Sequence, residues 1–217
     1  MLLQRLLWLD ERNRAAHRLL RPDDHCLYFG EYRPRSGWRG GPMNDLILDF
    51  KRRPEDIALS GRTHALSYFK ERAIAQIAQA LRAQFAAGAV RRAITFVPLP
   101  TSRQPDQPTY CDRLPRALRL AFGRDADIRP LLRQRAGTAA DPRRTSLSNL
   151  LELTEIDYAQ LQEPLRALVV LFDDVLTSGK HLRVAAIRIR ELAPRQPLIA
   201  VFVARRLPCS AGSARSC

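Results

Sequence analysis

Apolar residues fall along this chain in two patterns. The first is a short unbroken run: Leu168 to Phe172, the segment AITFV at 93–97, and PLIAVFVA at 197–204. Runs of this length are too short for an ordinary helix and read as strands buried on both faces of a parallel sheet. The second is helical spacing. Leu66, Phe69, Ile74, Ile77, Ala78 and Leu81 predict a helix over 64–87, ended by Ala87-Gly88. Residues 109–122 predict another, whose start Pro115 limits. Leu182, Ala185, Ala186 and Ile189 predict a third, running to about Leu192 before Pro194 and Pro197 break it. Weaker signals predict a strand at 26–33, rich in aromatic residues, and one at 127–133. Residues 149–163 read as a helix or irregular cover. Residues 1–21, with Leu2, Leu6, Leu9, Leu3 and Leu7 toward one side, read as an amphipathic helix. Strands alternating with helices predict an α/β fold with a mostly parallel sheet.

Turn formers divide the chain further. RPRSGWRGGP and Pro98 to Ser102 read as loops, and no internal repeat is visible. Residues 133–149 hold almost no large apolar residue, and a loop of that length is expected to be functional or disordered. The resulting division is an N-terminal helix and hood region at 1–65, a core at 66–208, and a small polar tail at 209–217.

At 217 residues, 46% hydrophobic and 27% charged, the chain has the composition of a globular protein with a full core. No stretch approaches the roughly 20 apolar residues of a membrane span. Gln4 and Arg5 interrupt the N-terminal leucines, and Asp10 and Glu11 follow, which argues against a signal peptide. The cysteines Cys26, Cys111, Cys209 and Cys217 are scattered without metal-ligand spacing, as expected of a reducing compartment, and a cytoplasmic protein without membrane association is predicted. The net charge of +14 predicts weak, salt-sensitive attraction to nucleic acid or phosphorylated small molecules. Only Lys51, Lys70 and Lys180 are lysines; the remaining positive charge is arginine.

The most informative stretch is LVVLFDDVLTSGKHLR, residues 168–183. A buried strand ends at Asp173 and Asp174, a small polar turn follows at Thr177, Ser178 and Gly179, and then a helix. That order aims backbone N–H groups and a helix dipole at one point, an anion site sized for a phosphate. Gly179 permits close approach or positive φ, and the Thr177 and Ser178 hydroxyls can donate to the same anion. The carboxylates suit vicinal hydroxyls, with a divalent cation sharing the charge. A phosphate at one end and a diol at the other describe a ribose 5-phosphate.

Residues 168–180 resemble the phosphoribosyl-diphosphate (PRPP) signature of type I phosphoribosyltransferases: an apolar strand, two acidic residues, an aliphatic residue, Thr, Ser and Gly. His181 departs from it, standing where the family has a hydroxyl on the 5-phosphate. NDLILDFKRR and the order R-x-R-x-x-T, then R-R-T-S-x-S-N-L, are also similar, over short lengths, to the competence-associated ComF group. The resemblance implies an α/β phosphoribosyltransferase-like core with a hood at about 22–65. It implies PRPP held by Val175, Leu176, Thr177, Ser178, Gly179, Lys180 and His181. A pyrophosphate loop is implied at Leu99, Pro100, Thr101, Ser102 and Arg103, with a cis bond open to Leu99-Pro100. Catalytic residues would be Asp173 and Asp174, with Mg²⁺ held through them, and Arg143 and Arg144 on a closing loop. Tyr110, Asp112 and Arg113 lie near the site as functional groups or as a structural Asp–Arg pair.

The reaction so implied transfers ribose 5-phosphate from PRPP to a nitrogen acceptor with release of pyrophosphate. No residue names the acceptor. Two other readings stand beside it: a non-catalytic PRPP- or nucleotide-binding module associated with nucleic acid, and a component that forms a homodimer or docks a partner protein through the N-terminal helix.

Overall fold

The computed structural model of the chain describes residues 2–101, 110–135 and 145–208. In chain order the elements are β1 (Leu7–Trp8), α1 (Glu11–Arg14), β2 (Cys26–Tyr32), α2 (Pro42–Lys51), α3 (Pro54–Leu59), α4 (Thr63–Gln84), α5 (Gly88–Arg92) and β3 (Ile94–Pro98). There follow α6 (Arg113–Phe122), β4 (Asp127–Ile128), β5 (Leu132–Gln134), α7 (Leu147–Leu153), β6 (Thr154–Ile156), β7 (Leu168–Leu176), α8 (Lys180–Leu192) and β8 (Leu198–Arg206). One sheet carries the order β1-β2-β8-β7-β3-β4. Its pairings are parallel except that of β1 with β2. The fold is therefore α/β with a mostly parallel sheet flanked by helices, and β5 and β6 form a separate antiparallel hairpin.

The unbroken apolar runs take the centre of the sheet. In β7, Val170 and Phe172 enter the core layer made with α2, α4 and α6, where Ile47, Phe50, Ile77, Leu81 and Leu118 are buried. Val169 and Leu171 enter the opposite layer, against Leu182, Ala185 and Ile189 of α8. Such two-sided burial makes the run continuous rather than alternating. In α4 the buried stripe runs from Ala73 to Leu81, while Phe69 is exposed.

Three expectations are corrected. Residues 1–21 do not form a helix. Their leucines divide, with Leu3 and Leu9 buried and Leu2 and Leu7 exposed. The helix signal sits late, at Asp10, whose Oδ1 accepts the Asn13 N–H at 2.8 Å and caps the short α1. A partner-docking helix at the N-terminus is thereby removed. Second, 127–133 is not one strand: β4 belongs to the main sheet and β5 to the hairpin, with Pro130 between them unable to donate to a ladder. Third, β7 does not stop at the carboxylates but runs through them to Leu176, held by β8 up to the pair Leu176 and Arg205. The segment 22–65 contributes β2, a parallel neighbour of β8, to the main sheet, with α2 packed on α4.

Candidate functional site

The carboxyl ends of β3 and β7 lie side by side, Pro98 opposite Phe172, and the Leu99 N–H donates to the Phe172 carbonyl at 2.9 Å. Clefts at the carboxyl ends of parallel strands are where open α/β sheets bind ligands. Because β7 continues through Asp173 and Asp174, the pleat sends the two side chains to opposite faces.

Asp174 follows Val170 and Phe172 toward α2 and α6, and is 4% exposed. Its Oδ1 accepts from Lys51 Nζ, at the last residue of α2, at 2.9 Å. Its Oδ2 accepts from Arg113, at the first residue of α6, at 3.1 Å from Nε and 2.5 Å from Nη2. Burial would raise its pKa, but Lys51 and Arg113 outweigh burial and hold the carboxyl well below the usual range. Arg113 in turn lies over the Phe50 ring, 5.8 Å from its centroid. The Asp112–Arg113 pair left open by the sequence does not form: Arg113 binds Asp174, and Asp112 lies 3.8 Å from Arg116.

Asp173 is half-buried, and its Oδ1 accepts the Asp174 N–H at 2.7 Å. Burial and the adjacent Asp174 charge push its carboxyl up to about 7, against the pull of Lys51. One carboxylate is fixed as an anion inside a salt bridge. The other is made a weaker acid by burial and by its neighbour's charge, and its Oδ1 accepts the Asp174 N–H.

The turn after β7 has the form the sequence predicts. Gly179 sits in the left-handed region, φ 84°, as the N-cap of α8. The Thr177 side chain is exposed, Ser178 half-buried and Gly179 buried. The first N–H groups of a helix have no partner within it, and Gly179 places that end of α8 directly after the polar turn. Val175 and Leu176 are buried strand residues, which leaves only their backbone to a ligand. His181 is half-buried. Burial lowers its pKa, although Asp174 draws it upward.

The N-terminal segment braces this turn. The buried His17 places Nδ1 on the Thr177 carbonyl, and the Leu19 N–H donates to the Ser178 carbonyl at 3.0 Å. Leu20 packs on Gly179, where an added Cβ would lie 2.6 Å from Leu20 Cδ2. Burial keeps His17 neutral, lowering its pKa despite the carbonyl that would raise it.

The remaining expected residues divide. Leu99 is buried, and the Leu99-Pro100 peptide is trans. Thr101 borders the site end of β3. Ser102, Arg103, Arg143 and Arg144 lie outside the described residues. Thr145, next in the chain, accepts from Lys180 Nζ through its carbonyl, so that end of the 133–149 stretch is tied to the start of α8.

Sequence reasoning gave no site role to Lys51, His17, Lys70 or Cys111. Lys70 is buried, and its Nζ donates to the Arg52 carbonyl at 2.7 Å and to Cys111 Sγ at 3.1 Å. Against burial, which raises it, Arg113 and Lys70 bring the Cys111 thiol below its ordinary value. A signal for part of this set was present in the composition. In a chain whose positive charge is almost all arginine, Lys51 ends on Asp174 and Lys180 opens the helix after the turn, while Lys70 ends on the Arg52 carbonyl and Cys111.

The Mg²⁺ implied by the signature does not fit through this carboxylate pair. Both oxygens of Asp174 are taken by cations, and Asp173 stands beside them with a carboxyl that is easily protonated. Among the described residues no group of three or more His, Cys, Asp or Glu is placed to hold a metal ion. No helix among them is long and apolar enough to cross a membrane. No family model matches the chain, and no curated protein matches it.

Proposed function

We propose that the chain is a phosphoribosyltransferase-like protein that binds PRPP at the carboxyl end of β7. One observation carries the reading. A half-buried carboxylate, Asp173, and the helix N-terminus at Gly179 are set on one strand–turn–helix unit, with hydroxyls at Thr177 and Ser178 between them. The 5-phosphate would take the Thr177 and Ser178 hydroxyls and the first N–H groups of α8. The ribose hydroxyls would donate to Asp173. The pyrophosphate would lie toward Leu99–Thr101 and Lys51. An attacking nitrogen forms its bond to C1 of the ribose, the C1–O bond breaks, pyrophosphate leaves with the electron pair, and the nitrogen releases its proton. Positive charge gathering on the ribose would be favoured by Asp173, and negative charge on pyrophosphate by Lys51.

Ionised Asp173 accepts from both ribose hydroxyls and more strongly than the protonated acid does. PRPP affinity should therefore rise as pH passes from 6 to 8 through the Asp173 value of about 7. The profile of Asp173→Asn should be flat by comparison. Affinity that does not change over this range in the wild-type protein would remove Asp173 from the ligand. The His181 departure favours a second reading, binding without transfer. Pyrophosphate release from PRPP with a panel of nitrogen acceptors separates the two: release establishes the enzyme, and tight binding without release establishes the binding module.

A further inference from the structure

The unexpected feature of the site is the pair of cations on Asp174. Lys51 and Arg113 come from two different helices and each takes one oxygen of the same carboxylate, at 2.9 Å and 2.5 Å. On its face of β7 the single negative charge of Asp174 meets two positive side chains, so that face has no anionic excess with which to draw a divalent ion out of water. The cations also differ in exposure. The Arg113 side chain is 13% exposed and belongs to the frame, whereas that of Lys51 is 45% exposed. Lys51 ends α2, where the negative end of the helix dipole favours an ammonium, and its three donors allow it to hold Asp174 and still face a ligand anion.

We propose that Lys51, backed by Arg113, occupies the place of a divalent cation, so that the site takes the anionic phosphoribosyl ligand with no metal ion of its own. The inference rests on the phosphoribosyl reading for its ligand and on the Lys51–Asp174 contact for its chemistry. An ammonium there neutralises Asp174 in the free protein. When a diphosphate arrives it shares its remaining N–H donors with that group, which is the charge compensation a metal would otherwise give.

The test has two arms on the full chain, with Lys51→Met, Lys51→Gln and the conservative Lys51→Arg beside the wild type. The partial exposure of Lys51 and the continued Arg113–Asp174 pair favour folded variants, which circular dichroism checks. In the first arm PRPP is titrated in excess chelator and in excess Mg²⁺. The wild-type affinity should change by less than about threefold between the two. Lys51→Met and Lys51→Gln should bind about tenfold more weakly in chelator and recover with Mg²⁺, while Lys51→Arg should behave as wild type. A wild-type affinity that falls tenfold or more in chelator overturns the proposal. In the second arm Mn²⁺ alone is titrated and followed by water proton relaxation. Uptake by Lys51→Met and not by wild type supports the proposal; uptake by wild type, or by neither protein, overturns it. Should PRPP bind under neither condition, the phosphoribosyl reading fails, and the Mn²⁺ arm still decides the role of Lys51.

Discussion

Replacing Asp174 by Asn would leave Lys51 and Arg113 facing a neutral amide, with Arg113 still largely buried. Breaking one side of a buried pair costs about 3 kcal/mol, because the stranded charge remains. Urea denaturation at pH 8 should show a loss of that order. Asp173→Asn should do the reverse. The folded-state value of about 7 lies above the ordinary 3.8, so the folded state holds a proton that the unfolded chain gives up. Stability from that proton is fully present below 3.8 and is lost as pH rises through 7. The amide removes the penalty at high pH, so at pH 8 the variant should melt higher than wild type by about 5 °C. Equal melting of the two proteins would mean that Asp173 is well solvated. Both carboxylates stand out in the sequence as candidate ligand-binding groups. Their division does not, because it depends on β7 continuing past Phe172, and on Lys51 reaching Asp174 from a helix 123 positions away.

At the scale of elements, the order strand, turn, helix was legible, while the end of the strand, four residues past Phe172, was not. Order and spacing at 168–180 set the local backbone, and Gly179 adopts the positive φ expected of it. The brace over the turn was not legible. His17, Leu19 and Leu20 carry no periodic signal, and the leucines before them suggest a helix that Asp10 and the pairing of β1 with β2 replace. Gly179→Ala tests both constraints at once. A left-handed φ costs a non-glycine residue about 1–2 kcal/mol, and the new Cβ would press on Leu20 Cδ2 and Cγ, 2.6 Å and 2.9 Å away. The variant should lose about 2–3 kcal/mol in denaturant unfolding. Leu20→Ala should relieve the contact but not the backbone strain, so the double variant should be less destabilised than the sum of the two single ones. Simple additivity would show that Leu20 does not bear on the turn.

For the molecule as a whole, the parallel sheet could be read from three buried runs because burial on both faces leaves no alternation to misread. The edges were harder. β1 and β4 are two residues each, too short to carry a pattern, and they are placed by pairing with longer neighbours. The charge of +14 describes the whole surface and does not locate a site. What marks a candidate site is the convergence of β3, β7, α2, α6 and α8 on Asp173, Asp174 and Gly179. Calorimetric titration of the purified chain with PRPP at pH 8, with Asp173→Asn as the paired sample, tests that convergence most directly. The account predicts micromolar binding by the wild type, weakened by at least about tenfold in a variant that remains folded and melts no lower. No binding by the wild type, or equal binding by the two proteins, would contradict it.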